Sequence, residues 1–248
     1  MISMMAEPRD AYFNSISSTP EPSRVRYSIN LNGAPYGYLV LWQPGKLTFR
    51  VRRPPRIADP ASPLRGLTIT VDPGHPPAGA TGPTSLYEAD AVLQVGMKVH
   101  DMLVQRGVNV VMTRTTPDAV DLGLRPIISR RANANAFVSI HLNAFPDGVN
   151  PFVNNGSLTL YFWPHSIPLA TATQPALVAE LGLRDNGAKF QNLAVARGTW
   201  MPSILTEGAF VIMPDQEAAL RTQAYQEAYA TAIVRGLETY FASLARTQ

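Results

Sequence analysis

Apolar residues follow two different rhythms along the chain, and the rhythm changes near residue 67. Between residues 24 and 52, short apolar runs separated by Asn-Gly and Pro-Gly turns predict three strands, at Val25–Leu31, Tyr38–Trp42 and Leu47–Arg52. From Leu67 onward, β-branched runs alternate with runs of helical spacing. Such alternation is typical of domains in which helices cover a central sheet. The pattern therefore predicts an α/β fold preceded by a small N-terminal β segment.

The same pattern predicts the individual elements of the α/β part. The predicted strands are Leu67–Val71, Val108–Thr113, Ala136–Ile140, Ser157–Trp163, Leu193–Ala196 and Ser203–Thr206. The predicted helices are Tyr87–Arg106, Leu124–Ala134, Gln174–Leu181 and a C-terminal helix whose apolar stripe runs from Tyr225 to Phe241. A continuous stripe of this kind indicates a helix face buried in the core.

Composition along the chain predicts four regions. Residues 1–23 are polar and rich in Pro and Ser, and we expect them to be poorly ordered. Residues 24–52 form the small β segment, which is either the tail of a β-module or a sheet that leans on the next domain. Residues 53–66 contain four prolines and are expected to be a linker. Residues 67–248 form the α/β domain.

Several classes of protein are excluded by composition. Hydrophobic residues make up 46% of the 248 residues, a typical globular value. No run approaches the roughly 18 apolar residues of a membrane helix, and Met1–Met5 is too short for a signal peptide. There is no cysteine and there are four histidines, so any metal must be held by His, Asp or Glu.

Charge is distributed unevenly. Residues 1–66 contain nine Lys/Arg against four Asp/Glu, whereas residues 67–248 contain 12 against 14. A basic N-terminal segment indicates an anionic partner, such as a nucleic acid, a membrane surface or an anionic polymer. A solvated basic surface without a binding role explains the charge equally well. No nucleic-acid-binding motif accompanies it, so a nucleic-acid partner is not expected.

Four titratable residues share a placement that suits catalysis. His75, His141 and Glu207 each follow or end a predicted strand, and Glu88 opens the helix after the His75 loop. Loops beyond the carboxyl ends of strands form the site crevice of α/β sheets. Two imidazoles and one carboxylate with a position open to water form a catalytic zinc set, and a second carboxylate can act as general base.

The motifs around these residues resemble those of the zinc-dependent N-acetylmuramoyl-L-alanine amidases, the catalytic domains of bacterial cell-wall amidases. The motifs are Val71-Asp72-Pro73-Gly74-His75, Glu88 at a helix start, Ser139-Ile140-His141-Leu142-Asn143 and the segment Met201–Phe210. Their order, spacing and strand-end context all agree. The resemblance covers about residues 66–244.

The resemblance implies a fold, a cofactor and a reaction. The fold is a twisted, mixed and mostly parallel sheet flanked by helices. One zinc ion per chain is held by His75, Glu88 and His141, and Glu207 is the catalytic carboxylate. The reaction hydrolyses the amide between N-acetylmuramic acid and L-alanine in peptidoglycan and releases stem peptides. The location is the cell envelope, periplasmic or extracellular, with the export signal missing from this chain. If residues 24–52 are the tail of a β-module, a wall-binding module is the candidate.

Two alternatives share parts of this interpretation. A zinc peptidase acting on stem peptides would use similar metal chemistry. A catalytically silent peptidoglycan-binding protein would keep the scaffold as an anchor, with the basic segment contacting an anionic wall polymer, but the presence of all four motif residues argues against it.

The sequence also departs from the family pattern. Pro76-Pro77 stands where members usually have Gly-Gly, and Val92 where many have Asn. Some members carry an inserted helix that plugs the site, but Arg114–Gly123 and Ala144–Gly156 are too short for one, so we expect an open site.

Residues beside the site are candidates for substrate contact. The two candidates are Asn143 and Arg114. For Asn143, turn formation is an alternative role. For Arg114, the alternative is a solvated side chain or one that pairs along a helix. The same choice applies to Arg125. Asp72 is expected to be a hydrogen-bond acceptor that shapes the loop, and His100 and His165 are expected to be structural or surface residues.

Overall fold

The computed structural model describes residues 4–6, 10–77 and 79–245. Its strands are β1 Met4–Ala6, β2 Phe13–Glu21, β3 Arg24–Leu31, β4 Gly37–Gln43, β5 Lys46–Arg52, β6 Thr68–Pro73, β7 Asn109–Met112, β8 Ala136–Asn143, β9 Ser157–Tyr161, β10 Asp185–Phe190 and β11 Ser203–Phe210. Its α-helices are α1 Glu88–Gln105, α2 Leu124–Arg131, α3 Pro151–Asn154, α4 Ile167–Leu181, α5 Pro214–Leu220 and α6 Gln223–Ala245. Short 3-10 helices lie at Pro164–Ser166 and Ala194–Arg197.

A six-stranded sheet organises the molecule, with strand order β10-β9-β11-β8-β6-β7. The pairs β11/β8, β8/β6 and β6/β7 are parallel, and β10/β9 is parallel as well. The parallel strands thus form two groups, β10 with β9 and β11 with β8, β6 and β7. The antiparallel pair β11/β9 joins these two groups. The predicted mixed, mostly parallel sheet flanked by helices is confirmed.

Alternation along the central strands divides the core into two layers. In β8, Val138 and Ile140 face the larger core cluster, which α1, α4 and α6 complete. Phe137 faces the other side and packs in a smaller cluster near α2 and the 194–197 helix. His141 lies four residues after Phe137 and therefore shares this second face. The apolar stripe of α6 is buried in the larger core, as the pattern predicted.

The N-terminal region differs from the prediction of one three-stranded sheet. Strand β3 pairs with β2, and β4 pairs with β5, so the region contains separate sheets. Strand β2 lies within residues 1–23, which we expected to be poorly ordered. Its sequence, Phe-Asn-Ser-Ile-Ser-Ser-Thr-Pro-Glu, is mostly polar and gives a weak hydrophobic signal. The strand is stabilised by pairing with β3 and not by the β propensity of its own residues.

The β4–β5 hairpin leans on the α/β domain, which favours the second of the two interpretations offered for residues 24–52. The Arg52 guanidinium donates hydrogen bonds to the carbonyls of Asn133, Ala134 and Trp200. It also lies over the Trp200 ring, 5.0 Å from the ring centroid. Within the expected linker, Leu64 is only 2% exposed and belongs to the main core. Its burial shows that this stretch packs on the domain despite its proline content.

Three elements differ from the sequence pattern. The predicted strand Leu193–Ala196 is the 3-10 helix Ala194–Arg197, whose apolar residues are buried without pairing. Strand β10 was not predicted because Asp185–Phe190 is mostly polar and lies at the sheet edge. Helix α4 begins at Ile167, before the predicted start at Gln174.

Among the described residues, no helix combines the length and apolar character needed to cross a membrane.

Candidate active site

Three predicted ligands converge at the carboxyl edge of the sheet. One donor atom from each of His75, Glu88 and His141 lies within 4.8 Å of the other two. The Oε1 atom of Glu88 is 3.2 Å from Nε2 of His75 and 3.0 Å from Nδ1 of His141. The long-range association inferred from strand ends is therefore present in the structure.

Glu88 is held at the start of α1 by backbone donors. The Leu142 N–H donates to its Oε1 at 2.9 Å, and the Ala80 N–H donates to its Oε2 at 2.9 Å. Burial alone would raise the pKa of this carboxyl, but the hydrogen bonds with both imidazoles and with Leu142 outweigh burial and hold the pKa well below its usual range. Glu88 is therefore a fixed negative charge in the site.

The loop that carries His75 depends on glycine. His75 itself has φ 56°, in the left-handed region that most side chains avoid. A Cβ at Gly74 would collide with the imidazole of His141, and one at Gly79 would press on the His75 ring. The hydrogen bond with Glu88 raises the pKa of His75, whereas burial opposes that rise. These glycines are positioning residues that the sequence analysis did not assign.

Glu207 lies beside His141 because β11 and β8 are paired in register at these two residues. Its Oε2 is buried and has no hydrogen-bond partner among the described residues. Burial, followed by the negative charge of Glu88, raises the pKa of the Glu207 carboxyl well above its usual value. An unpartnered buried carboxylate is costly for stability, which is characteristic of a functional group.

A buried ion pair supports the His75 loop from below. Asp72 accepts hydrogen bonds from Thr113, Ser139 and Arg125, as expected for a loop-shaping acceptor. The Arg125 guanidinium also donates to the carbonyl oxygens of Pro73 and His75. Arg125 is 3% exposed and is occupied by these contacts, so it serves the loop rather than the substrate.

The candidate substrate contacts have different outcomes. Arg114 is 5% exposed and donates to the carbonyls of Pro73, Gly74 and Ala89, an arrangement that argues against the expected contact with substrate. Asn143 ends β8, and its Oδ1 accepts the Ala144 N–H, the turn-forming alternative. Its contact with substrate stays a prediction.

The two remaining histidines lie outside the site. His100 is in contact with Asp101 on α1. His165 has a buried Nε2 with no partner among the described residues, and burial lowers the pKa of its imidazole.

Solvent reaches the site. The His75 and His141 side chains are 26% and 18% exposed. They border a cavity of about 450 Å³, to which Pro76 and Pro77 contribute. Within Ala144–Gly156 the described helix is α3, with four residues. These observations agree with the expected open site.

The donor set fits a zinc ion. Ligand atoms 2.0–2.1 Å from a tetrahedral ion lie about 3.3 Å apart, close to the separations of 3.0 and 3.2 Å that Glu88 Oε1 makes with the two imidazoles. Two imidazoles and one carboxylate leave a fourth position for water or substrate, as in catalytic zinc sites.

The fold and the site together define an α/β protein in which a His-Glu-His group able to hold a metal ion lies at the carboxyl edge of the sheet. A family profile described as N-acetylmuramoyl-L-alanine amidase matches residues 69–239. The chain belongs to this family. Residues before 69 lie outside the match, and the expected division into regions stays a prediction.

Relatives and solved structures agree with the assignment. The chain is 34% identical over 186 residues to the N-acetylmuramoyl-L-alanine amidase LytC of Bacillus subtilis, covering 73% of this chain and 36% of LytC. An amidase structure from Clostridium difficile 630 superposes with TM-score 0.66 at 33% identity, covering 70% of this chain and 96% of that one. The catalytic domain of CwlV from Bacillus (Paenibacillus) polymyxa superposes with TM-score 0.65 at 30% sequence identity, covering 69% of this chain and 96% of that one.

Proposed function

We propose that this chain is a zinc-dependent amidase that hydrolyses the bond between N-acetylmuramic acid and L-alanine in peptidoglycan and releases stem peptides. The observation that carries the proposal is the meeting of His75, Glu88 and His141 within 4.8 Å of one another, beside the unpartnered carboxylate of Glu207. The family match supports the choice of substrate.

His75, Glu88 and His141 would hold the zinc ion. When bound, zinc polarises the scissile carbonyl and lowers the pKa of a water toward about 7. The hydrogen bonds from Leu142 and Ala80 keep Glu88 oriented, and the room left by Gly74 and Gly79 lets both imidazoles approach it.

Glu207 would move the proton that the reaction requires. It takes a proton from water as the water oxygen attacks the carbonyl carbon, and it then delivers that proton to the alanine nitrogen as the C–N bond breaks. The products are a carboxyl group on the muramic acid and a free amine on the peptide. Burial and the charge of Glu88 raise the pKa of this carboxyl, which favours the step in which it holds the proton before the alanine nitrogen receives it.

Mass spectrometry of digested sacculi tests the proposal against the peptidase alternative. The amidase releases whole stem peptides that begin at L-alanine and leaves the glycan free of peptide. Cleavage within the stem peptides would instead establish a peptidase, and binding of sacculi without any soluble product would establish the silent protein.

We place the enzyme in the cell envelope, where its proposed substrate lies. The contact between the basic N-terminal segment and an anionic wall polymer stays a prediction. Several of its arginines are already engaged within the chain: Arg24 and Arg26 with Glu21, and Arg53 with Asp10. Those pairs leave fewer free charges for a polymer than the sequence count indicated.

A further inference from the structure

A buried tyrosine that takes no part in the proposed proton transfer links helix α6 to the strands of the site. Tyr229 belongs to α6, and its side chain is buried. Its hydroxyl oxygen lies 3.1 Å from the carbonyl oxygen of His141 and 2.9 Å from the carbonyl oxygen of Thr206. The first carbonyl belongs to a proposed metal ligand, and the second belongs to the residue before Glu207. One hydroxyl group therefore contacts both β8 and β11 where these strands carry their functional side chains.

The side chain of Thr206 completes this hydrogen-bond network. Its hydroxyl oxygen lies 2.8 Å from the Tyr229 hydroxyl and 3.3 Å from the carbonyl oxygen of Ser139. When Thr206 donates to the Tyr229 oxygen, the Tyr229 proton is directed to the carbonyls of His141 and Thr206. Because Tyr229 and Thr206 are both buried, water does not replace a hydrogen bond that is lost here.

The pairing of β11 with β8 becomes irregular immediately after Glu207. The register shifts between Glu207 and Phe210, so β11 contains one residue more than β8 over this stretch. Such a β-bulge is frequent beside active sites, where it changes the direction of a side chain. Gly208 follows Glu207 directly, and a Cβ on this glycine would lie 2.3 Å from the Tyr229 ring. The tyrosine reaches the strands because the bulge carries a glycine.

The backbone after Glu207 is held as well. The Gly208 carbonyl accepts hydrogen bonds from the hydroxyl groups of Ser157, at 3.0 Å, and Tyr225, at 3.4 Å. Tyr225 lies four residues before Tyr229, so both tyrosines project from the same face of α6. Helix α6 thus contacts the backbone on both sides of Glu207. Since Oε2 of Glu207 has no hydrogen-bond partner among the described residues, the position of its carboxylate depends on this backbone.

We propose that Tyr229 is a positioning residue, whose hydroxyl fixes the separation between the His141 imidazole and the Glu207 carboxylate by binding the backbone of both strands. The proposal rests on the proposed amidase function and adds a residue that touches neither metal nor substrate. Proton transfer requires hydrogen-bond reach, and a displacement of about 1 Å costs about 10²-fold in rate. Because Glu88 also restrains the His141 ring, loss of the hydroxyl should reduce turnover more than zinc affinity.

Tyr229→Phe tests the proposal, because it removes the hydroxyl and keeps every carbon atom of the side chain. At saturating zinc, we expect kcat for muropeptides to fall about 10- to 100-fold. The KM should stay near the wild-type value, because Tyr229 does not line the cavity that His75 and His141 border. Zinc affinity, measured by competition with a zinc-binding dye, should fall about three- to tenfold.

Tyr240→Phe is the matched control. Tyr240 is a buried tyrosine on the same helix, and its hydroxyl forms a hydrogen bond with Tyr36. Tyr36 in turn donates to the carbonyl of Asn135, just before β8 begins, so this pair lies at the opposite end of the strand from His141. Tyr240→Phe should lower the melting temperature about as much as Tyr229→Phe does, while its kcat and zinc affinity stay at wild-type values.

Thermal unfolding gives the folded fraction of each variant, by which kcat and zinc affinity are corrected. Wild-type kcat and zinc affinity in Tyr229→Phe, or equal losses in Tyr229→Phe and Tyr240→Phe, would overturn the positioning role even if the wild type hydrolyses muropeptides. Zinc binding needs no substrate. A loss of zinc affinity confined to Tyr229→Phe, in a protein whose wild type does not cleave the muramoyl–alanine bond, would overturn the amidase proposal alone.

Discussion

Glu207 shows how one position on a strand acquires a chemical role. Register with His141 places it beside the proposed ligands, and its Oε2 has no partner among the described residues. Burial and the charge of Glu88 raise the pKa of its carboxyl. A buried carboxylate without a partner lowers the stability of the fold. Such a loss is consistent with a group whose role is proton transfer.

Replacement of Glu207 by glutamine should separate catalysis from metal binding. Because Glu207 is not among the three converging ligands, Glu207→Gln should bind zinc as the wild type does while its turnover of muropeptides falls about 10²- to 10⁴-fold. Metal analysis and a muropeptide assay on the same preparation measure both properties. Glu227→Gln, at an exposed carboxylate on α6, is the control. A near-normal rate in Glu207→Gln would show that the role assignment is wrong.

Gly74 should be the most sensitive small residue of the site. A methyl group at this position would occupy space that the His141 ring fills. We expect Gly74→Ala to lower zinc affinity by about 10- to 100-fold, as measured by competition with a zinc-binding dye. Gly33→Ala, whose added Cβ would make an ordinary 3.5 Å contact with Tyr12, should bind zinc normally. Equal affinities in the two variants would contradict the packing argument.

The loop between β6 and α1 owes its shape to the ion pair beneath it. Arg125 Nη1 lies 2.8 Å from Asp72 Oδ1, and the two side chains are 3% and 0% exposed. The Arg125 guanidinium also donates hydrogen bonds to the backbone carbonyls of Pro73 and His75. The pair thus connects helix α2 to the segment that presents the first proposed metal ligand.

Breaking this pair should destabilise the whole domain. Arg125→Met leaves a buried carboxylate uncompensated, at a cost of about 3–5 kcal/mol in the free energy of unfolding. Urea denaturation measures the loss. The double variant Asp72→Asn/Arg125→Met should recover part of it, since the unpaired charge is then gone. If the single variant is as stable as the wild type, the ion pair does not hold the loop.

The sequence predicted the elements whose signal is local, and it missed those whose signal comes from packing. The apolar runs of β6, β8 and β11, the helical spacing of α1 and the stripe of α6 fix the conformation and burial of these elements, so they were predicted. Three site residues lie on or just after these strands, and Glu88 begins α1, so their placement was predicted as well. Strand β2 forms against β3 with few apolar residues of its own. The role of Arg125 depends on Asp72, 53 positions away, which no periodicity reveals.

At the scale of the whole molecule, the open end of the β4–β5 hairpin, where β4 begins and β5 ends, contacts the α/β domain. Tyr36 donates to the Asn135 carbonyl, and Arg52 binds three carbonyls of the α/β domain. Gly37 lies against the Trp200 backbone, where a side chain would collide. Docking of this kind places Leu39 of the hairpin in the lining of a cavity that residues of α2 also border.

Removal of the Arg52 contacts should loosen this docking. Arg52→Gln loses hydrogen bonds to three backbone carbonyls, and we expect a loss of about 1–3 kcal/mol in the free energy of unfolding. Limited proteolysis should show faster cleavage before residue 67. Arg50→Gln, at an exposed neighbour on the same strand, serves as the control. Equal cleavage rates in both variants would mean that Arg52 does not hold the hairpin.

Zinc dependence is the central claim, and measuring zinc content and hydrolysis before chelation, after it and after zinc is added back tests it most directly. Purified wild-type protein should contain about one zinc ion per chain, lose both metal and muropeptide hydrolysis on chelation, and regain both when zinc is added. His75→Ala and His141→Ala should neither hold the ion nor respond to it. Full hydrolysis by metal-free protein, or normal zinc content in both histidine variants, would contradict the account.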